Sequence, residues 1–570
     1  VKIIIASYKK FVDIVSWPLS IYDFLKRHSS IRSFLIGLII FSVIVIINFG
    51  IVVWIGIVGF VARLGFMMLF MIGQFLLLFT FLSSTKNIEL YPGDKGMFSF
   101  DKDYFGNEYL VNAVRQWISS LSAEGKEKLD AMGAEAINGM LFEGPPGTGK
   151  TLLAQCLASD SHAAFFGCSG TDFQAMFIGV GPMKVMRLFS KARAAARRYG
   201  AAIVFIDEID AVGGNRGGVS GSQPMGMQGG GIFGGGGLGV LSKILTEMDG
   251  TKEIGRRDQI RNRMYGWMGI PPLKTGLVLT IGATNRVAAL DPALVRPGRL
   301  DKIIRIDPPD KLSREKIIQG YLKKVSHSED VEVIRLVEDT GGVTPAQLAS
   351  AIQRGAPRFA INEGRGYITH LDIEKALQED LVGLANPISD LEPIQKKQVA
   401  VHESGHAVVS YILQPQRRIT HVSIIRRGSG ILGYMMDVEK KEVFAQPLKN
   451  VAARVQIAIA GHIAVELVLG EAWTGASIDF QHVRFYLYRM AELGQFGGIP
   501  FESNDLFSNP RIKERADRYL QKAIQGTRQL LLEHMDMLLA MSDILLAQDE
   551  LNSDQVYELL GKYYEQTIST

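Results

Sequence analysis

From residue 33 to residue 82 the chain is almost wholly apolar, interrupted mainly by Asn48, Arg63 and Gln74. A run of this length exceeds one membrane crossing and fits two helices of about 20 residues with a tight connection. The pattern places one helix near 34–54, a second near 64–81 and a turn around 56–63. Asn48 and Gln74 are then expected to face the other helix or a neighbouring subunit rather than lipid. The alternative, an apolar hairpin buried in a soluble protein, fits poorly because soluble cores seldom hold so long a run.

Between 99 and 310 short apolar runs alternate with helical patterns. Residues 141–143 precede a glycine-rich loop and a helix rich in Leu and Ala; 201–206 is wholly apolar and 277–281 nearly so. This alternation predicts a parallel sheet flanked by helices. Residues 213–239 are about half glycine and read as a loop without a core of its own. Residues 252–274 carry Lys252, Arg256, Arg257, Arg261, Arg263 and Lys274 with little acid, and read as a solvated insertion. Residues 311–380 read as helices. After Pro387 a further, mainly helical region runs almost to the end, with short strands expected at 419–425 and 430–436.

Composition changes the picture in three places. The formal charge of +4 over 570 residues is small, and acids and bases are interspersed after residue 85, which argues against a nucleic-acid binder. Lys2, Lys9, Lys10, Lys26, Arg27 and Arg32 precede the apolar run, so the N-terminal side is expected to be cytoplasmic; two spans return the chain to that side, with Lys86 just after the second. Residues 1–30 show no small-residue cleavage site of a signal peptide. The two cysteines, Cys156 and Cys168, match no metal or redox spacing and read as thiols in a reducing compartment.

Three motifs carry chemistry. The segment Gly144, Pro145, Pro146, Gly147, Thr148, Gly149, Lys150, Thr151 fits G-x-x-x-x-G-K-[ST] between an apolar strand and a helix. Its glycines let backbone N–H groups approach phosphate oxygens, Lys150 neutralises the β- and γ-phosphates of ATP, and Thr151 holds Mg²⁺. The apolar run at 203–206 ends in Asp207 and Glu208, which puts both acids at the carboxyl edge of the same sheet. Asp207 is expected to help hold Mg²⁺, and Glu208 to orient the attacking water. Residues 402–406 read H-E-x-x-H. On a helix His402 and His406 share a face and can reach one zinc ion, with Glu403 beside them to take a proton from water and return it to the leaving amine.

These motifs, with Ala283-Thr-Asn-Arg286 and 290–299 ending in Arg296-Pro-Gly-Arg299, resemble an AAA ATPase; Met176-Phe-Ile-Gly-Val-Gly181 is similar to the pore loop of FtsH-type proteases. The resemblance to the FtsH family runs from about residue 99 to residue 500. It implies that Asn285 senses the γ-phosphate or attacking water and that Arg296 and Arg299 are arginine fingers acting on a neighbouring subunit, hence a ring, in the family a hexamer. It further implies that Phe177 and Gly179 form the substrate-gripping pore loop. Zinc needs a third protein ligand, and Thr474-Gly-Ala-Ser-Ile-Asp479 resembles the family segment that supplies it, so Asp479 is the candidate. Glu466 matches a family acid that orients a ligand histidine, with a surface salt bridge as the other reading; His421 and His462 read as structural.

The expected chain is therefore multidomain: an N-terminal cytoplasmic segment (1–32), a two-helix transmembrane hairpin (33–84), an α/β AAA ATPase module (85–310) with a helical lid (311–386), and a mainly α-helical zinc metalloprotease domain (387–570). It departs from the family in lacking room for a folded domain between the spans, in Ser404 where Ala is usual, and in Leu300 and Lys302 where Phe and Arg are usual. The expected activity is ATP-dependent, zinc-dependent endoproteolysis of membrane and soluble polypeptides by a homo- or hetero-hexamer in a bacterial inner membrane or an organelle membrane. The catalytic domains are expected on the cytoplasmic (or matrix or stromal) side. The alternative is a membrane-anchored AAA motor without proteolysis.

Overall fold

The computed structural model describes residues 31–82, 88–119, 123–134, 137–174, 180–213, 236–249, 263–268, 276–388, 390–428, 432–441, 443, 445–497 and 509–569. The pore-loop residues Phe177 and Gly179, most of the glycine-rich stretch and most of the basic insertion lie outside them.

The apolar run forms α1 (Ile31–Leu82), one continuous helix of 52 residues. The expected turn at 56–63 is not there. Two glycines fall in that segment but no proline, so no amide donor is missing and nothing breaks the backbone ladder. Asn48 does not reach another helix: its amide donates to the Ile44 carbonyl of the preceding turn at 2.8 Å. Gln74 is exposed on the helix surface.

Residues from Thr85 onward form a separate unit. Its first part is a six-stranded sheet of β1 (Ile88–Leu90), β2 (Gly139–Glu143), β3 (Ala164–Ser169), β4 (Ala201–Asp207), β5 (Leu277–Thr284) and β6 (Lys302–Arg305), in the order β1-β3-β4-β5-β2-β6. Only β1 runs antiparallel to its neighbour. Strand β4 shows why its sequence is apolar throughout. Successive side chains point to opposite faces, and both faces are covered. Ile203 and Phe205 pack with Leu153 and Leu157 of α2 (Lys150–Asp160), while Val204 and Ile206 pack with Leu188 and Phe189 of α3 (Val180–Tyr199) and Ile244 of α4 (Gly236–Asp249). Each such burial contributes about 1.5–3 kcal/mol.

The lid follows as helices Lys311–Leu322, Val333–Asp339, Pro345–Ser350, Ala356–Asn362 and His370–Val382. The last part is built on α5 (Pro393–Leu413), α6 (Leu448–Leu469), α7 (Ser477–Glu492), α8 (Pro510–Glu533), α9 (Met535–Gln548) and α10 (Ser553–Ser569), with a small antiparallel sheet in the order β8-β7-β9. Its strands are β7 (Arg417–Ser423), β8 (Tyr434–Glu439) and β9 (Glu550–Asn552). Helix α6 is apolar enough to cross a membrane. Here Val455, Ile459 and Ile463 lie in the core with Val401, Val408 and Leu538, which explains the hydropathy. Gly405 of α5 lets the two helices meet: a Cβ there would lie 2.6 Å from the Ala464 side chain.

Ion pairs lock the lid to this sheet. Arg418 of β7 reaches Asp339 at 2.9 Å, and Arg335 of the lid reaches Asp554 of α10 at 2.7 Å.

Candidate active site

Two centres emerge, one at the carboxyl edge of the large sheet and one between α5, α6 and α7. Strands β4, β5 and β2 are neighbours, so the segments that follow them meet. Gly149 precedes α2 in a left-handed conformation, φ 90°, which glycine adopts without steric cost. Lys150 follows it, largely buried, with Nζ donating to the Gly144 and Pro145 carbonyls at 2.8 Å and to Asn285 Oδ1 at 3.1 Å. Burial lowers its pKa, partly offset by the Asp207 carboxylate. Thr151 Oγ1 donates to Asp207 Oδ2 at 3.1 Å, and Asp207 Oδ1 accepts the Glu208 N–H at 2.9 Å. Glu208 stands at φ 49°, an uncommon turn for a non-glycine residue that starts the loop after β4. A buried ammonium ringed by acceptors, at the start of a helix, and a hydroxyl beside a carboxylate suit a nucleoside triphosphate with its Mg²⁺.

The lid closes one side of the loop, a contribution invisible in the motif: Ala346 donates its N–H to the Gly147 carbonyl at 3.1 Å. The two expected fingers differ. Arg296 is exposed. Arg299 pairs through two nitrogens with Asp249 of its own α4, at 2.9 and 2.6 Å.

In the second centre, α5 is buried from Val399 to Ser410, so its motif lies inside the domain. His402 Nε2 and His406 Nε2 are 3.2 Å apart. Asp479, in the first turn of α7, lies 2.9 Å from the first and 3.6 Å from the second. Ligand atoms about 2.1 Å from a tetrahedral zinc stand about 3.4 Å apart, close to the 3.2 Å between the two imidazole nitrogens, and the two carboxylate oxygens of Asp479 each face one of them. His406 donates its Nδ1 proton to the Ile457 carbonyl at 2.7 Å, so that once a bound cation displaces the proton on Nε2 the lone pair there faces the cluster. The electrostatics also suit a cation. Burial works against a charged His406, yet the Asp479 carboxylate outweighs it and lifts the imidazole to about 9. Burial pushes Asp479 up, and hydrogen bonds from His402 and His406 more than offset this, holding it well below the usual carboxylate range.

Glu403 is buried beside the triangle. Burial raises its carboxyl pKa against the downward pull of the two imidazoles, as suits a group that cycles a proton.

Sequence reading missed two glycines here. A Cβ on Gly461 of α6 would lie 2.6 Å from His406 Nε2 and 2.7 Å from His402 Nε2. One on Gly433, just before β8, would lie 2.9 Å from Glu403 Oε1. A glycine inside a helix was the available signal for the first. In an ordinary helix Gly461→Ala stabilises by about 1 kcal/mol. Here it is expected to push the imidazoles apart and lower bound zinc well below one per chain, measured by atomic emission on folded protein. Full occupancy would mean that the rings can move aside.

Glu466 does not orient a ligand histidine. It accepts from Arg528 of α8 at 2.6 Å, because five residues beyond Gly461 a helix has turned by about 140°. His421 bonds Gln378 of the lid at 2.9 Å, and His462 packs edge-on against Phe480.

Comparison with known proteins finds relatives of both parts of the chain. Residues 140–308 match the ATPase family associated with various cellular activities (AAA), and residues 390–559 match peptidase family M41. The ATP-dependent zinc metalloprotease FtsH 1 of Phytoplasma mali (strain AT) is 31% identical over 478 residues, 83% of this chain and 72% of that protein. The ATP-dependent zinc metalloprotease FtsH of Thermotoga maritima is 30% identical over 511 residues, 86% of this chain and 77% of that protein.

Proposed function

Since this chain belongs to the FtsH family and is an ATP-dependent zinc metalloprotease with AAA ATPase activity, we propose how its own residues divide the work. His402, His406 and Asp479 hold the zinc ion. Zinc, when bound, supplies the Lewis acidity that polarises water and the scissile carbonyl. Glu403 takes the proton of the attacking water and returns it to the leaving nitrogen. Lys150 and the loop 144–149 bind the phosphates of ATP, Thr151 and Asp207 hold Mg²⁺, and Glu208 and Asn285 orient the hydrolytic water.

The observation that carries the proteolytic reading is the triangle of two imidazole nitrogens 3.2 Å apart and one carboxylate bridging them, with Glu403 buried alongside. Chelation tests it. Stripping zinc is expected to abolish cleavage of an unfolded peptide while ATP turnover persists, and equimolar zinc is expected to restore cleavage. Cleavage by fully stripped protein would overturn the reading.

Polypeptides are the substrates and the protein is an oligomer. The finer proposals are a homo-hexamer or related hetero-hexamer, completed by Arg296 and Arg299 as fingers in trans, with Phe177 and Gly179 gripping the threaded chain. The proposed domains are a cytoplasmic segment at 1–32, a membrane segment at 33–84, the AAA module at 85–310, its lid at 311–386 and the protease at 387–570. A continuous 52-residue helix is about 78 Å long against a hydrocarbon core of about 30 Å, so we propose that in a bilayer the helix opens at the glycines within 56–63 and the apolar segment crosses twice. Both catalytic domains then share the cytoplasmic, matrix or stromal side with the basic N-terminal segment.

Strand β8 is an edge strand, and Gly433 and Met435 line the zinc cavity. An extended substrate can add to such an edge by backbone pairing. Met435→Pro and Met436→Pro each remove one N–H, and consecutive amides of a strand point to opposite sides. One of the two is expected to raise KM for an unfolded peptide about tenfold with zinc retained. Unimpaired cleavage in both folded variants rules the pairing out.

A further inference from the structure

We propose that His482 is a further catalytic residue, donating a hydrogen bond to the carbonyl oxygen of the scissile bond as charge builds there. The inference rests on the zinc-peptidase reading and extends it to a residue outside the H-E-x-x-H motif and its third ligand.

Peptide hydrolysis puts negative charge on the carbonyl oxygen. Water adds to the carbonyl carbon, Glu403 takes a water proton, and the C=O π pair moves onto oxygen. As that pair returns, the C–N bond breaks, and the nitrogen receives the proton from Glu403. A fixed donor facing that oxygen lowers the barrier because its interaction grows as charge develops.

The zinc cavity, of about 480 Å³, holds few side chains able to do this. Arg454 lines it, but its guanidinium is committed to Asp437 at 2.9 and 3.1 Å. Tyr434 lines it too, but its hydroxyl is buried away from solvent and its ring packs against His421, 5.6 Å between centroids. Tyr486 stands two turns beyond Asp479 on α7, about 10 Å along the axis. Gln398 is one turn before His402, with its amide nitrogen 3.6 Å from where a Cβ on Gly475 would stand.

His482 differs from all of these. It lies three residues after Asp479 in α7, about 4.5 Å along the axis and on the same face, and it lines the same cavity as His402, Glu403 and His406. It is exposed rather than packed into the core. In either charge state an imidazole keeps at least one N–H donor. Nothing in the H-E-x-x-H pattern points to this residue; its place on the ligand helix does.

The test uses the full-length, zinc-loaded protein as wild type, His482→Ala, His482→Gln and Gln398→Ala. Zinc content, ATP turnover, and kcat and KM on an unfolded fluorogenic peptide are measured, together with the Ki of a phosphinic peptide that mimics the tetrahedral state. For His482→Ala, unchanged zinc and ATP turnover are expected, with kcat lower by about 10²-fold and KM little altered. Affinity for the phosphinic peptide is expected to fall in parallel, and Gln to restore part of both. The proposal is overturned if kcat stays within about threefold, if only KM moves, if zinc is lost in step with kcat, or if Gln398→Ala carries the loss instead. A wild type that holds no zinc, or that still cleaves after Glu403→Gln, would instead overturn the peptidase reading beneath it.

Discussion

Replacing Glu403 by glutamine is expected to remove peptide-bond cleavage, by about 10³-fold or more, while ATP turnover stays within about twofold of the unaltered protein. Glutamine keeps the shape of glutamate and cannot accept the proton of the attacking water at neutral pH. The side chain is buried, and burial already opposes its charge, so the neutral amide should not unfold the helix. Zinc should remain, because His402, His406 and Asp479 are untouched. The check is a casein or peptide cleavage assay beside a coupled ATPase assay and a zinc determination on the same sample. Cleavage near the wild-type rate with zinc bound would show that another group moves the proton.

The complementary change is Glu208→Gln. ATP turnover is expected to fall by about 10²-fold or more, with nucleotide binding retained because the loop 144–149, Lys150 and Thr151 are intact. Degradation of a folded reporter should fall with it, since unfolding draws on ATP. Cleavage of a short unfolded peptide should survive, because the zinc centre is built by α5, α6 and α7 and shares no ligand with the sheet. A fluorescent nucleotide titration and two reporters, one folded and one unfolded, separate these outcomes. Persistent degradation of the folded reporter without ATP turnover would break the coupling between the two centres.

Much of both centres is legible without coordinates, for a physical reason. The phosphate loop is contiguous, and backbone geometry at Gly149 and the position of Lys150 at a helix start are local properties. The H-E-x-x-H pair is equally local, because one turn of helix brings residues four apart together. Asp479 is of a different kind. It lies 77 residues from His402, and only resemblance to a family pointed to it. Glu466 exposes the limit of that kind of inference: a motif match gives a position along a helix but not the side it faces, and here the side faces Arg528.

The amino-acid sequence alone determined the chemistry available: an apolar run of membrane length, a sheet whose strands lead into a glycine-rich loop with a lysine and a pair of acids, and a helix carrying two imidazoles and a carboxylate on adjoining turns. The tertiary structure decided what could not be local. It set β5 between β4 and β2, so that Asn285 meets Lys150. It placed Gly461 and Gly433 where any side chain would strike His402 and His406 or Glu403, and it brought Asp479 and His482 to the same cavity. Helix and strand periodicities say which residues share a face. Only packing of one element on another says which faces meet, because it depends on side-chain volumes far apart in the chain.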